Sequence, residues 1–341
     1  MRISGPVVLC LVAVGVVAYQ PSLYSQGSLT PPGPPAPAFK TLQQVEPRTP
    51  ISALPATITV SGSYYVTTNL TAAPGGGVNG ITIQADDVAL DLNGFVLTGA
   101  GSDTGIIVPS PQKNLSVRNG TLRIWGFSAV DAHLASNSQF EQLRIANGGG
   151  GLRIGAGCIA THCSVTASGS WGIEAGDGST VKDCTAFANF NDGIVGARGV
   201  SIIGCTVRGN SRYGIDVNDG STVSGCTVTS NGLHGIQVTL ACRVTENLCH
   251  KNGVGVAGAA GILVSSSFNR IEANQVSGNN RGIDVQAGGN LIIKNHAADN
   301  PPGGGGANYI FTASNTFGPT NNLVGAGGVI TNQNPWANFS F

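Results

Sequence analysis

Charge is scarce in this chain. Its 341 residues hold 17 Lys and Arg against 17 Asp and Glu, for a formal net charge of zero. No basic cluster or stripe occurs, which removes the electrostatic footprint of a nucleic-acid binder, and nucleic acid is not expected as a partner. The eight cysteines include no Cys-x-x-Cys, so neither a redox dithiol nor a knuckle-type zinc site is indicated. Met occurs once and aromatic residues make up 6%. The apolar run Val7 to Ala18, behind Arg2, is too short to span a bilayer comfortably and has the length of a signal-peptide core.

Residues 1–26 are therefore expected to be an export signal, cut after Ala18 or Ser25, with an uncleaved anchor as the alternative. The expected location is secreted, periplasmic or cell-surface, with no membrane association beyond that signal. Residues 27–50 are Pro-rich and read as an extended linker. Residues 51–79, with Ile58, Val60, Tyr64 and Tyr65 around Ser61-Gly62-Ser63, suggest a hairpin that caps the strands beginning near Gly80.

What the chain has in abundance is glycine, 51 residues, together with Val, Ile, Thr and Asn. That mixture favours short strands joined by tight turns. The glycines are periodic. Gly151-Leu152, Gly172-Ile173, Gly193-Ile194, Gly214-Ile215 and Gly235-Ile236 recur every 21 residues, as do Cys163, Cys184, Cys205 and Cys226. A fixed period of this size marks a stacked solenoid in which each repeat is one coil. The predicted fold is all-β: a right-handed parallel β-helix over residues 80–300, about ten coils of about 21 residues, with a C-terminal cap over residues 301–341. An insertion, residues 253–260, should emerge as a loop on one face.

A perfect repeat stacks each position on its equivalents, so columns can be read directly from the spacing. Asn189, Asn210, Asn231 and Asn252 form one, expected to pair its amides along the axis at left-handed turns. The cysteine column continues as Asn247, which marks an inward turn slot. Stacked, buried thiols suit that slot; two disulfides between adjacent coils are the alternative, against parallel Cα–Cβ vectors that set the Cβ atoms slightly too far apart. A zinc site needs four convergent ligands, and a linear column does not converge.

The residues before successive glycines are Trp171, Asp192, Tyr213 and His234, and two residues after the glycines come Arg153, Glu174, Val195, Asp216 and Gln237. Together they should form an outward stripe of aromatic faces, carboxylates and an imidazole, a mixture suited to sugars. Asp192, Tyr213, Asp216 and His234 are the catalytic candidates, and Trp171, Glu174 and Gln237 the binding candidates. An ordinary solvated face of turn residues would look the same.

Gly-Ile-x-Val, then Val-x-x-Cys/Asn-Thr-Val, then Asn, recurs from Gly151 to Gly289, and Ile81 to Gly94 looks like an opening coil. This pattern resembles the parallel β-helix repeat of the pectate-lyase-like superfamily. The resemblance implies polysaccharide lyases, hydrolases and epimerases, and equally tailspikes and adhesins. Tyr213-Gly214-Ile215-Asp216 is similar to the tyrosine-glycine-aromatic-aspartate motif of alginate epimerases, in which tyrosine and a histidine act as acid and base; Asn218 stands where that histidine is expected. His234-Gly235 is similar to the histidine-glycine of polygalacturonases, but the paired aspartates are absent from the preceding coil. No cofactor is expected, and calcium has no motif behind it. Three functions are the expectations: a non-catalytic protein whose long face binds carbohydrate or a cell-surface polymer, a lyase or epimerase of a uronic-acid polymer, and a structural or adhesive rod.

Overall fold

The computed structural model describes residues 47–75, 77–101, 103–300, 307–312, 314–323 and 333–340. The expected signal 1–26 and most of the expected linker 27–50 lie outside the described residues. Among the described residues there are strands and turns and no helix; accordingly no helix is long and apolar enough to cross a membrane.

Each regular coil contributes three short strands. In the coil that starts at Gly172 they are Ile173–Ala175, Thr180–Lys182 and Thr185–Phe187. Three residues suffice because the central one, or the two flanking it, points inward and the next coil repeats the choice. Equivalent strands pair in parallel without slippage: Ile173 opposite Ile194, Ile194 opposite Ile215, Ile215 opposite Ile236, and Ile236 opposite Ile262 beyond the insertion. The Ile173 to Ile283 column and the Val181, Ile202, Val223, Val244 and Ile271 column are both fully buried. Stacked aliphatic columns of this kind gain about 25 cal/mol of hydrophobic free energy per Å² buried.

The strands after the repeating glycines form a first face of twelve parallel strands, and the other two positions merge into one sheet of 24 strands. The merger occurs because Ser116–Arg123 and Gln139–Ala146 run unbroken through both positions. At about 4.8 Å per coil the twelve rungs extend roughly 55 Å. The two rungs beyond the expected ten come from residues assigned to caps. Ala56–Ile58 pairs with Ile81–Ile83, and Tyr309–Phe311 pairs with Arg281–Val285. The expected N-terminal hairpin around Ser61-Gly62-Ser63 does not form: Ala56–Ile58 belongs to the first face, while Gly62–Val66 lies parallel to Thr49–Ile51 and Val88–Asp91 in the other sheet. The local alternation is the same for a hairpin and a coil; only the partner differs, and the coil below supplies a better-covered one.

All three corners put a left-handed residue before an inward side chain. At the corner between the second and third strands, His162, Asp183, Gly204, Gly225, Glu246, Ala273 and Lys294 have φ between 52° and 63°. The residue after each turns its side chain inward, as Cys163, Cys184, Cys205, Cys226, Asn247, Asn274 and Asn295. That side chain accepts the backbone N–H of the equivalent residue one coil earlier: Cys226 N–H to Asn247 Oδ1 at 2.9 Å, then Asn247 to Asn274 and Asn274 to Asn295 at 3.0 Å each. The second corner repeats the arrangement with Ala188, Gly209, Ser230 and Lys251 before Asn189, Asn210, Asn231 and Asn252. The third places Gly178, Gly199, Gly220, Ala241, Phe268 and Gly289 before Ser179, Val200, Ser221, Cys242, Asn269 and Asn290. Left-handed backbone at these corners therefore falls on the residue preceding each ladder asparagine, not on the ladder asparagine itself. The asparagine is inside, where its carbonyl oxygen meets an N–H that would otherwise be buried unpaired.

The seven described cysteines are buried and free. Hydrogen bonding to Cys184, then burial, raises Cys163 well above the usual thiol range, and burial raises Cys249 likewise.

The repeating glycine has an equally direct cause. A Cβ on Gly214 would sit 2.4 Å from Val228 Cγ1, 2.6 Å from the Gly235 carbonyl oxygen and 2.7 Å from Asn231 Nδ2. The motif marks where the first face turns tightly over its own asparagine ladder.

Candidate functional site

The pre-glycine residues sit at the corner entering the first face, and the residues two after each glycine are the centres of its strands. Parallel register sets the centres in one line: Arg153 opposite Glu174, Glu174 opposite Val195, Val195 opposite Asp216, and Asp216 opposite Gln237. The line then continues through Leu263 to Asp284. The expected stripe is thus a real alignment, but it is less exposed than a solvated face. Trp171, Glu174, Tyr213, Asp216, His234 and Gln237 are each half-buried, and Asp192 is buried.

Three of the candidates, Asp192, Tyr213 and His234, come together with Arg212. The Tyr213 and His234 rings stack with centroids 5.3 Å apart. Arg212 lies over the Tyr213 ring at 4.8 Å and pairs with Asp192 Oδ2 at 3.3 Å. Asp192 Oδ1 accepts the backbone N–H of Tyr213 at 2.9 Å. Asp192 is therefore a cap that fixes the Tyr213 corner and orients Arg212.

Burial, and secondarily the charge of Asp192, pushes the Asp216 carboxyl up to about 6, with Arg212 opposing. His234 moves the other way: burial lowers it, the Asp284 carboxylate partly restores it and Arg281 adds to the lowering. Its Nδ1 accepts the Ala260 backbone N–H at 2.9 Å, so the neutral ring carries its proton on Nε2. The stripe consequently presents a carboxyl and an imidazole whose environments both favour the uncharged form, beside a guanidinium and a phenol.

Trp171 and Glu174 stand at the other end. Arg153 bridges them, 3.2 Å from Glu174 and 6.0 Å from the indole centroid. Gln237 is in line with Asp216.

Three residues of this neighbourhood escape a column that stops at His234. Arg212 adjoins Tyr213. Arg281 occupies the pre-glycine position at Gly282, and Asp284 the position two beyond it; the pair meets at 2.6 Å with Asp284 buried. The signal was the repeat itself, interrupted by the insertion at residues 253–260. That insertion ends against the stripe through the Ala260–His234 bond. Three cavities among the described residues lie at the ends of the solenoid, away from the stripe. Among the described residues no group of three or more His, Cys, Asp or Glu converges to hold a metal ion.

A family model described as a right handed beta helix region matches residues 104–249. No curated protein matches the chain in sequence. Among solved structures, the A-module of the mannuronan C-5 epimerase AlgE4 from Azotobacter vinelandii is similar at 16% identity and TM-score 0.50, over 74% of this chain and 80% of that one. The AlgE6 A-module from the same organism aligns at 14% identity and TM-score 0.45, over 74% of this chain and 78% of that one. The Dettilon tailspike protein aligns at 12% identity and TM-score 0.41, over 82% of this chain and 62% of that one. The chain folds as a right-handed parallel β-helix.

Proposed function

We propose that the first face binds a carbohydrate polymer laid along the solenoid. The Tyr213–His234 stack, with Arg212 over its tyrosine, carries this reading. Adjacent half-buried rings offer a platform for the apolar face of a sugar ring, and Arg212, Asp216 and Gln237 surround it with donors and acceptors. The open run of the face suits a chain better than a small metabolite. Export behind residues 1–26, and a cell-surface or secreted setting, belong to the same reading.

A second reading is favoured by one observation, the Asp216 carboxyl held near 6. A carboxyl raised toward neutrality, on the same stripe as a neutral imidazole and a phenol, is equipped for proton transfer at the carbon next to a uronate carboxylate. The mannuronan C-5 epimerases are proteins of similar fold whose name states action on such a polymer; at 16% identity that likeness extends to the fold alone.

One experiment separates the two. The purified protein is screened on a glycan array, and in parallel incubated with pectate and alginate while unsaturated products and altered uronate stereochemistry are followed. Binding that a Tyr213→Ala variant loses, without turnover, supports the first reading. Turnover abolished in Asp216→Asn with binding intact supports the second. Neither binding nor turnover would sink both and leave a structural rod.

A further inference from the structure

Away from the first face, a cavity of about 370 Å³ opens where the last coils close. Its floor is Leu291 and Ile293, its walls include Phe317 and Trp336, and Arg270 is its one charged lining residue among the described residues. Ligand cavities begin near this size, which is enough for one or two sugar rings.

The two aromatic walls are fixed yet half-exposed, Phe317 at 51% and Trp336 at 49%. Trp336 is held by three separate contacts. Its N–H donates to Asn334 Oδ1 at 2.8 Å, its carbonyl accepts the Lys294 N–H at 3.3 Å, and the Lys294 ammonium lies 4.7 Å from its ring centroid. Phe317 is packed against Phe311 at 5.0 Å between centroids. Half the surface of two large apolar rings is thus left in water on well-anchored side chains, an arrangement that packing alone does not require.

The charge at the rim selects among ligands. Glu272 holds Arg270 through Nε and Nη2, both at 2.7 Å, and accepts Lys294 Nζ at 3.0 Å. Two cations share one carboxylate, so the cluster keeps a net positive charge. The Arg270 fork is pre-oriented by Glu272 through Nε and Nη2, and among the described residues nothing pairs with its Nη1.

We propose that this cavity is a second saccharide site that takes an anionic pyranose, a uronate residue, with the ring on Trp336 or Phe317 and its carboxylate on Arg270. The site shares no residue with the first-face stripe and stands or falls separately from it.

Tryptophan fluorescence tests it. Trp125 is fully buried, so in a Trp171→Phe background the ligand-sensitive emission comes from Trp336. Titration with a short oligogalacturonate should shift that emission, and a neutral glucose oligomer of equal length should not. Arg270→Gln leaves Glu272 held by Lys294 and should weaken the titration about tenfold, the loss typical of one charge-assisted contact. Tyr213→Ala should leave the midpoint unchanged, which keeps a failure of the first-face reading distinct. An emission that ignores the oligogalacturonate, responds equally to the neutral oligomer, or titrates identically in a folded Arg270→Gln variant overturns the proposal.

Discussion

The backbone N–H of Cys226 donates to Oδ1 of Asn247 at 2.9 Å, in the same slot where the N–H of Cys163 meets Sγ of Cys184 at 3.4 Å. Thiol and amide are two solutions to one geometric demand: a short inward side chain that accepts an axial N–H. Sulfur is the weaker acceptor, but it fills the corner with apolar volume. The cysteines are therefore packing residues.

That assignment predicts thiol chemistry. The seven cysteines between Cys158 and Cys249 should be inert to an aromatic disulfide reagent in the native protein and all react after denaturation. Mass analysis without reductant should find no disulfide among them. Rapid native labelling of any of the four column cysteines would show that the corner opens without unfolding.

Asn231 is bonded on both sides within its ladder. Its Oδ1 accepts the N–H and Nδ2 of Asn210, and its own Nδ2 reaches Asn252 Oδ1 and the Val207 carbonyl. Asn231→Ala should destabilise the protein by roughly 3 kcal/mol, because several buried polar groups lose partners together. A surface asparagine such as Asn218 replaced by Ala is the control. Equal denaturation midpoints for the two variants would remove the ladder as a source of stability.

Two glycines of different role should respond differently to alanine. Gly214→Ala drives a methyl into Val228, Asn231 and the next coil's backbone and should cost about 3 kcal/mol or more. Gly220 has φ 68° and nothing within 4 Å of its would-be Cβ. Its alanine variant should lose only about 1 kcal/mol, from left-handed backbone alone. Chemical denaturation of both variants checks the ranking, and a reversed order would refute the inward placement of Gly214.

The pH dependence of stability should carry the mark of Asp216. Its folded value, about 6, lies above the 3.8 of a free aspartate. Between those values the folded state binds more protons than the unfolded state, so this contribution is complete below about pH 4 and is lost as pH rises through about 6. Asp216→Asn removes the loss. Its melting temperature should exceed the parent's by a few degrees near pH 8, with the gap closing toward pH 4. Solvent screening of this half-buried group keeps the effect modest. A gap that widens on acidification would contradict the shift.

Much of this molecule is written in its repeat. Gly172, Gly193, Gly214 and Gly235 mark the first face because only a hydrogen fits above the asparagine ladder, and the Asn189 to Asn252 column announces that ladder. The stripe from Trp171 to Gln237 emerges by counting. What counting missed has a physical reason in each case. The coil before Gly80 lacks the period, so Ala56–Ile58 and Gly62–Val66, on either side of Ser61-Gly62, resemble a hairpin until their separate partners are known. Arg281 and Asp284 belong to the stripe, but the insertion at residues 253–260 shifts the count.

Sequence alone determined the period, the parallel stacking and which columns face inward, because a 21-residue repeat admits one register that buries every isoleucine after its glycine. Tertiary structure decided the rest. Only the stacked coils show that Asp192 caps Tyr213, that Ala260 closes on His234, and that Trp336 and Phe317 wall a cavity above Arg270. Those relationships join residues from different coils whose side chains meet by packing, and no spacing along the chain encodes where a ring or a carboxylate comes to rest.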